Sequence, residues 1–524
     1  AEVALLSGDD ERAATDAAAV ASDCEDDRTV ARAGILRARA ATRRGEYETA
    51  VDRLETSLER AREVDARRVE SDCLRRLGEV AIGRSEYERA REHYERSMET
   101  DREIGSRIDV AKSLVGLGTV AHRQGDYDTA AERFERSLAL RREVGDRGGV
   151  ADSLDRLGGV AAVRGDLDEA ADRHRRSLEI FRETGDDRNM ADVLSNLGVV
   201  ETRRGDHERA RELYERALTR HRDLDDTEGQ AKSLHNLGVA AERLGEYDRA
   251  RGWYERAATL NRDVGDEDAE AGNRHGLGYL AARRGAYDEA TEQYERALEI
   301  HRSIGDLHGE ARSLDNLGGV AMRRGDLERA REYCGTALET ERDCGHRSGE
   351  ANTLTTLAEV ERQAGDDDRA ETQFERAREL FEALDDDRGV GEATLGLGRV
   401  AFDRDDHETA TERARRARES FEAAGATLWT GRADRLLGRV AVAEGATAEA
   451  RDRLSEALDR FDSLDALPDA VETMRLLVEI TDGRKRHELC VRAVLSLEDA
   501  PWDADEDRDW FREACPEETV STGD

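Results

Sequence analysis

Proline is all but missing from this chain of 524 residues, since the first of its three prolines is Pro468. Nothing upstream imposes a proline break on a helix, where the ring would remove one hydrogen bond and clash with the preceding turn. Lysine is as scarce: only Lys112, Lys232 and Lys485 stand among 83 basic residues, against 121 acidic ones and a net charge of −38. Such a field repels nucleic acid, and aromatic residues at 4% offer few rings for base stacking, so no nucleic-acid partner is expected. No apolar run approaches the roughly 20 residues that span a bilayer, and no signal peptide is visible, so no membrane partner is expected either. The six cysteines, Cys24, Cys73, Cys334, Cys344, Cys490 and Cys515, form no CxxC pair or metal-ligand spacing. A reduced, cytoplasmic protein is predicted.

Catalytic signatures are missing too. There is no GxxxxGK[ST] phosphate loop, no HExxH and no GxSxG, and the aspartate runs 366–368 and 385–387 lack the alternating ligands and bidentate glutamate of a calcium loop. No catalytic residue, cofactor or metal is expected. One column merits weighing: Ser195, His235, His275 and Asp315 recur at 40-residue intervals. Packed helices lie roughly 8–10 Å apart, whereas a nucleophile and its base need about 3 Å, so groove polarity is the favoured reading of that column.

What the chain does have is a period. Leu194, Leu197, Gly198, Gly205, Ala210 and Tyr214 are answered 40 residues later by Leu234, Leu237, Gly238, Gly245, Ala250 and Tyr254. Alanine recurs at 50, 90, 130 and every fortieth position to 450, as a helix crossing that admits only a small residue would require. The apolar spacing of three and four residues within each unit, cut by Gly205 and by Asp225-Asp226, predicts stacked helical hairpins. Composition alone, with 39% charged residues, favours disorder. The period overrules it. In steps such as Gly145-Asp146, Gly185-Asp186 and Gly265-Asp266 the glycine is expected to end one helix in the left-handed conformation and the aspartate to start the next connection.

Leu194, Leu197, Gly198, Ala210, Tyr214 and Ala217 have the spacing of the tetratricopeptide repeat, which the chain resembles over about nine-tenths of its length. The unit here exceeds the common form of about 34 residues, and Arg222 stands where that form often has proline, so the second helix should run on for another turn. In this longer pattern the chain resembles the Pins/LGN class of scaffolds and similar prokaryotic arrays. The resemblance implies an all-α, right-handed superhelical solenoid of about twelve antiparallel hairpins. Glu201 and Ala241 replace first-helix aromatics, so packing must rely on close approach of small side chains. The acidic, lysine-poor surface is similar to that of halophilic proteins and implies a haloarchaeal source.

The expected organisation is a solenoid over 1–480, a capping helix over 481–500 and an acidic, mostly disordered tail over 501–524 apart from a short turn at DRDWFREA. AEVALLSG aligns with GEVAIGRS at 78–85, placing Ala1 halfway along a first helix, with more chain expected upstream. Beyond 365, Asp367, Arg378, Thr394 and Ala414 replace apolar residues, so looser C-terminal hairpins are predicted.

Function is expected to follow the groove. Asn196, Asn236 and Asn316 recur in NLG steps, and Arg203, Arg243 and Arg323 follow each by seven residues, two helical turns and nearly the same face; Arg123 and Arg283 continue the row. In the resembling class the matching positions contact an extended peptide, which implies amides bonding its backbone and guanidiniums taking its carboxylates. A cation near a helix C-terminus is also favoured by the macrodipole by about 0.3–1 kcal/mol, so the arginines have a second explanation. The expected role is a non-enzymatic scaffold for an extended, acidic segment of another protein or of the same chain. The rival is a sensor or autoinhibitory arm of a larger signalling ATPase or transcription regulator.

Overall fold

Every fortieth residue of the sequence returns to the same place in a pair of antiparallel helices, such as Thr227–Arg243 with Tyr247–Val264. At 17 or 18 residues each of these helices is about 25 Å long. The computed structural model describes residues 10–24, 26–464, 466–498, 500 and 504–515. Among them are 26 helices and no strand: the lone helix Asp10–Asp23, twelve hairpins from Asp27 to Glu498, and a last helix Asp505–Ala514. Contacts divide the chain into two compact units, Ala1–Asp225 and Asp226–Asp524, each a solenoid of stacked hairpins. The half-helix expected at Ala1 lies outside the described residues.

Helix ends repeat one device. Gly145, Gly185 and Gly265 have φ of 73°, 72° and 76°, and the aspartate after each accepts the backbone N–H three residues on, from Gly149, Asn189 and Ala269. The left-handed residue closes one helix and the carboxylate caps the next. Asp65, Ser85, Asp225, Asp385 and Asp405 hold the same conformation without glycine.

The hairpin core is built on small residues, as the alanine column predicts: Ala50, Ala90, Ala210, Ala250 and Ala450 are all fully buried. Against them lies an aromatic ring from the second helix. A Cβ added to Gly238 would stand 2.6 Å from the Tyr254 ring, and one added to Gly276 of the next hairpin 2.8 Å from its other edge. Tyr94 is wedged in the same way between Gly78 and Gly116. His174 and Cys334 occupy the ring position elsewhere, both buried, with His174 held 2.7 Å from Asp155.

Two expectations are corrected. The C-terminal hairpins carry large buried side chains, Phe374, Phe381, Phe421 and Phe461, three of them in a second-helix column that the apolar-loss argument did not scan. Where a short turn at DRDWFREA is expected, residues 505–514 form a helix, with Phe511 fully buried in a cluster that includes Leu497, Ala493 and Met474. Residues 501–503 and 516–524 lie outside the described residues. Finally, Cys490 and Cys515 are joined in a disulfide across 25 residues, tying that last helix to Gly483–Glu498. A uniformly reduced chain is therefore overturned for this pair, whose spacing carries no motif.

The wedge predicts that Gly238→Ala lowers stability by about 1–3 kcal/mol, the usual cost of overpacking. Gly252→Ala, on a helix where an added Cβ meets nothing within 4 Å, should leave stability unchanged or raise it. Chemical denaturation of the two variants checks the contrast; equal effects would contradict it.

Candidate functional site

The asparagine and arginine row divides on inspection of what each side chain touches. Asn196 Nδ2 donates to both carboxylate oxygens of Asp155, at 3.2 and 3.1 Å, and Asn316 Nδ2 donates to His275 Nδ1 at 3.2 Å. Each reaches 41 residues back, to the first helix of the preceding hairpin. Arg203 donates to the Ala162 carbonyl at 2.8 Å, which also accepts the Gly165 backbone N–H at that helix's C-terminus. Arg283 donates to Tyr279 Oη and to the Leu464 carbonyl, both at 3.1 Å. Asn236, Arg123, Arg243 and Arg323 have no hydrogen-bond or ion-pair partner among the described residues, and the three arginines are exposed. Four members of the row are thus inter-hairpin struts and four are open to a ligand.

In the Ser195, His235, His275 and Asp315 column the two histidines belong to the same strut system. His235 pairs with Asn273 at 3.0 Å and His275 Nε2 with Ser313 Oγ at 3.1 Å. Asn316 donates to His275 Nδ1 and Ser313 Oγ donates to the Gly309 carbonyl, so the network assigns the ring proton to Nε2. Burial pushes the His275 imidazole down to about 3, which keeps it neutral, and Ser313 is fully buried beneath it. That geometry relays hydrogen bonds between hairpins.

Within the second unit the chain comes round on itself. The helix Leu467–Glu479 packs against Glu267–Arg284, and the Arg283 to Leu464 bond lies at that junction. The first helices Leu307–Arg323, Arg347–Gln363, Asp387–Asp403, Thr427–Ala443 and Leu467–Glu479 together line a cavity of about 770 Å³. Its wall holds eight arginines and six carboxylates, on a chain with 83 basic and 121 acidic residues. Asp469 is clamped by Arg432 at 2.9 Å and Arg435 at 3.1 Å; burial opposes its ionisation, but the two guanidiniums win and hold it well below the usual carboxylate range. Glu359 is likewise drawn down to about 2, against burial, by Arg399 at 3.4 Å and Arg362 at 2.7 Å. Burial pushes Asp315 up to about 6 and, despite Arg388 at 3.3 Å, Glu392 up to about 7. Arg312, Arg323 and Arg439 have no carboxylate partner among the described residues, and Arg439 lies 4.4 Å over the Phe402 ring.

The repeat is also recognised by family. The tetratricopeptide repeat models match residues 30–103, 109–183, 189–263 and 309–383, and further ones match 274–304 and 391–416. The chain is a tetratricopeptide repeat protein. No curated protein matches it. Among solved structures it is similar to BtubC (BKLC) from P. vanneervenii, at 23% identity over 42% of this chain and 92% of that one, with a TM-score of 0.38. It is similar to the apo form of RapI, at 17% identity over 52% and 98%, with a TM-score of 0.46. A Rap protein complexed with competence and sporulation factor matches at 16% identity over 66% and 99%, with a TM-score of 0.41.

Tetratricopeptide repeat arrays are protein-interaction scaffolds, typically non-enzymatic, and among the described residues no helix is long and apolar enough to cross a membrane. Of the sequence-derived row in this array, Asn316 and Arg323 line the large cavity and Arg283 a smaller adjoining one of about 340 Å³. Sequence reasoning missed Arg362, Arg399, Arg432, Arg435 and Arg439. A signal was present, because Arg399 and Arg439 are 40 residues apart and Arg435 continues the Ser195 column, but these arginines lie outside the NLG steps.

The division into struts and open groups is testable by thermal or chemical unfolding. Asn316→Ala, which strands His275 Nδ1, should cost about 0.5–1.5 kcal/mol, whereas Asn236→Ala should cost nothing measurable. Equal losses would contradict the assignment.

Proposed function

We propose that the cavity of the second unit holds an extended, acidic segment of another protein. The observation that carries this reading is the inversion of charge: an acidic chain surrounds a lining in which arginine outnumbers carboxylate by eight to six. The volume of about 770 Å³ lies within the range of roughly 300–1,000 Å³ typical of ligand sites. Arg323 and Arg439 have no carboxylate within ion-pair distance among the described residues, and burial lowers the basicity of Arg399 and Arg439, so an incoming carboxylate relieves a desolvated positive charge. Asn236 and Arg243, unpartnered on their own hairpin, and Arg123 in the first unit are retained as further contacts for a peptide's backbone and carboxylates.

The titrating carboxylates give this reading a pH signature. With Asp315 and Glu392 ionised the formal excess of arginine is two; with both protonated it is four. An anionic ligand raises both pKa values further, so binding takes up protons and weakens as pH climbs through 6 and 7. The expected outcome is that a short Asp/Glu-rich peptide binds several-fold more tightly at pH 5.5 than at pH 8, measured by fluorescence anisotropy at fixed salt. Arg399→Gln with Arg439→Gln should weaken that binding about 10- to 100-fold with little change in melting, because Glu359 keeps Arg362. Affinity that is flat with pH and unaltered in the double variant would overturn the proposal.

A further inference from the structure

One position of the 40-residue frame changes character along the first helices of the second unit: Val239, Tyr279, Gly319, Glu359, Arg399 and Arg439. Glu359, Arg399 and Arg439 stand in the charged wall of the large cavity, and Gly319 lines both it and the adjoining cavity of about 340 Å³. Tyr279 lines the smaller cavity alone. Among the described residues, those lining the smaller cavity but not the larger are Arg283 and a set that is wholly apolar or aromatic: Tyr279, Ala282, Tyr294, Val320, Leu428 and Ala466. The frame therefore places an apolar space directly beside a charged one.

Two features of that space are unexplained by packing. Tyr279 is 39% exposed, whereas Tyr254 and Tyr294 are buried in glycine wedges. Its hydroxyl accepts from Arg283 at 3.1 Å, and the same guanidinium lies 5.8 Å over its ring and 5.2 Å over the Tyr247 ring, so the exposed ring is held in place. One hairpin on, Gly319 stands within a helix, which glycine weakens relative to alanine. Unlike Gly238 or Gly276 it has no ring against it, since an added Cβ would meet nothing within 4 Å. What its missing side chain leaves is open cavity. Leu428, Trp429 and Pro468, all half-buried, complete the lining from two further first helices.

We propose that the smaller cavity is a specificity subsite that seats one aromatic side chain of the bound acidic segment. The inference rests on the acidic-segment reading of the large cavity and narrows its ligand to a segment with an aromatic residue next to its carboxylates. Arg323, Arg388, Arg432 and Trp429 line both cavities, so the two are continuous. A segment whose carboxylates reach Arg323 and Arg432 carries a neighbouring side chain past Trp429 into the space lined by Tyr279 and Gly319. Rings already present there offer offset or edge-on partners to an incoming one. The guanidiniums fix register, and the aromatic anchor supplies affinity, as buried aromatic residues do at the centre of other interfaces.

Two peptides of equal length and charge test it: an Asp/Glu-rich one carrying a single phenylalanine, and its counterpart with serine in that place. Their affinities for the full chain are compared by fluorescence anisotropy at fixed pH and salt. We expect the phenylalanine peptide to bind about 10- to 100-fold more tightly, as burial of one aromatic side chain supplies. Tyr279→Ser, at an exposed position, removes one wall of the subsite, and Gly319→Leu fills it from a backbone position where an added Cβ has room. Each variant should remove most of that preference while melting near the parent's temperature. Equal binding of the two peptides by the parent, or a preference that survives both variants, would overturn the subsite and leave the acidic-segment reading in place. If neither peptide binds, that reading fails and the subsite falls with it.

Discussion

The Tyr254 ring fits because two backbones on either side of it carry no Cβ. Gly238 sets its own hairpin against the ring and Gly276 sets the next hairpin against the ring's far edge, each too close for a methyl group. A single side chain therefore fixes both the crossing within a repeat and the stacking between repeats. This contact compensates for an otherwise unpromising composition, in which 37% of residues are hydrophobic and the net charge of −38 repels itself. Stability of this kind is a sum over neighbouring repeats rather than the property of one core.

A second seam lies where the last turn of each second helix meets the first turn of the following hairpin. Phe181, Phe381, Phe421 and Phe461 occupy it in some repeats; Asp101, Arg141, Asn261, His301 and Glu341 occupy it in others, and all nine are buried. Phenylalanine fills the seat by size. A polar occupant must find partners there, as Asp101 does with Ser71 and Arg75, or Arg141 with the Gly149 carbonyl and Asp152. The same seat thus serves packing in one hairpin and hydrogen bonding in another, and at Glu341 the partners are imidazoles and a thiol.

Most of the fold was legible because it is dictated locally and then copied. The alanine column, the glycine and aspartate helix ends and the exchange of Tyr for His174 or Cys334 all follow from a 40-residue frame that needs no long-range information. The candidate site was legible only in part. Asn196 and Asn316 recur for a reason that the sequence could not separate from ligand binding, namely hydrogen bonds to Asp155 and His275 one hairpin back. The arginine-lined cavity depends on Leu467–Glu479 returning to Glu267–Arg284, a consequence of small rotations accumulated over five repeats. The Cys490–Cys515 bridge and the helix bearing Phe511 break the frame altogether, so periodicity carried no sign of them.

Charge then links packing to function. A chain whose surface is acidic keeps its guanidiniums dispersed in ion pairs at the hairpin tips, such as Arg84 with Glu48 or Arg284 with Asp248. Such exposed pairs contribute little, whereas on the inner wall of the second unit arginine outnumbers carboxylate. The central claim is that this wall, rather than the outer faces, receives the partner. Hydrogen exchange with a short Asp/Glu-rich peptide bound tests it most directly. The account predicts added protection in the first helices Arg347–Gln363, Asp387–Asp403 and Thr427–Ala443, and protection confined to second helices such as Asp367–Glu382 and His407–Ala423 would contradict it.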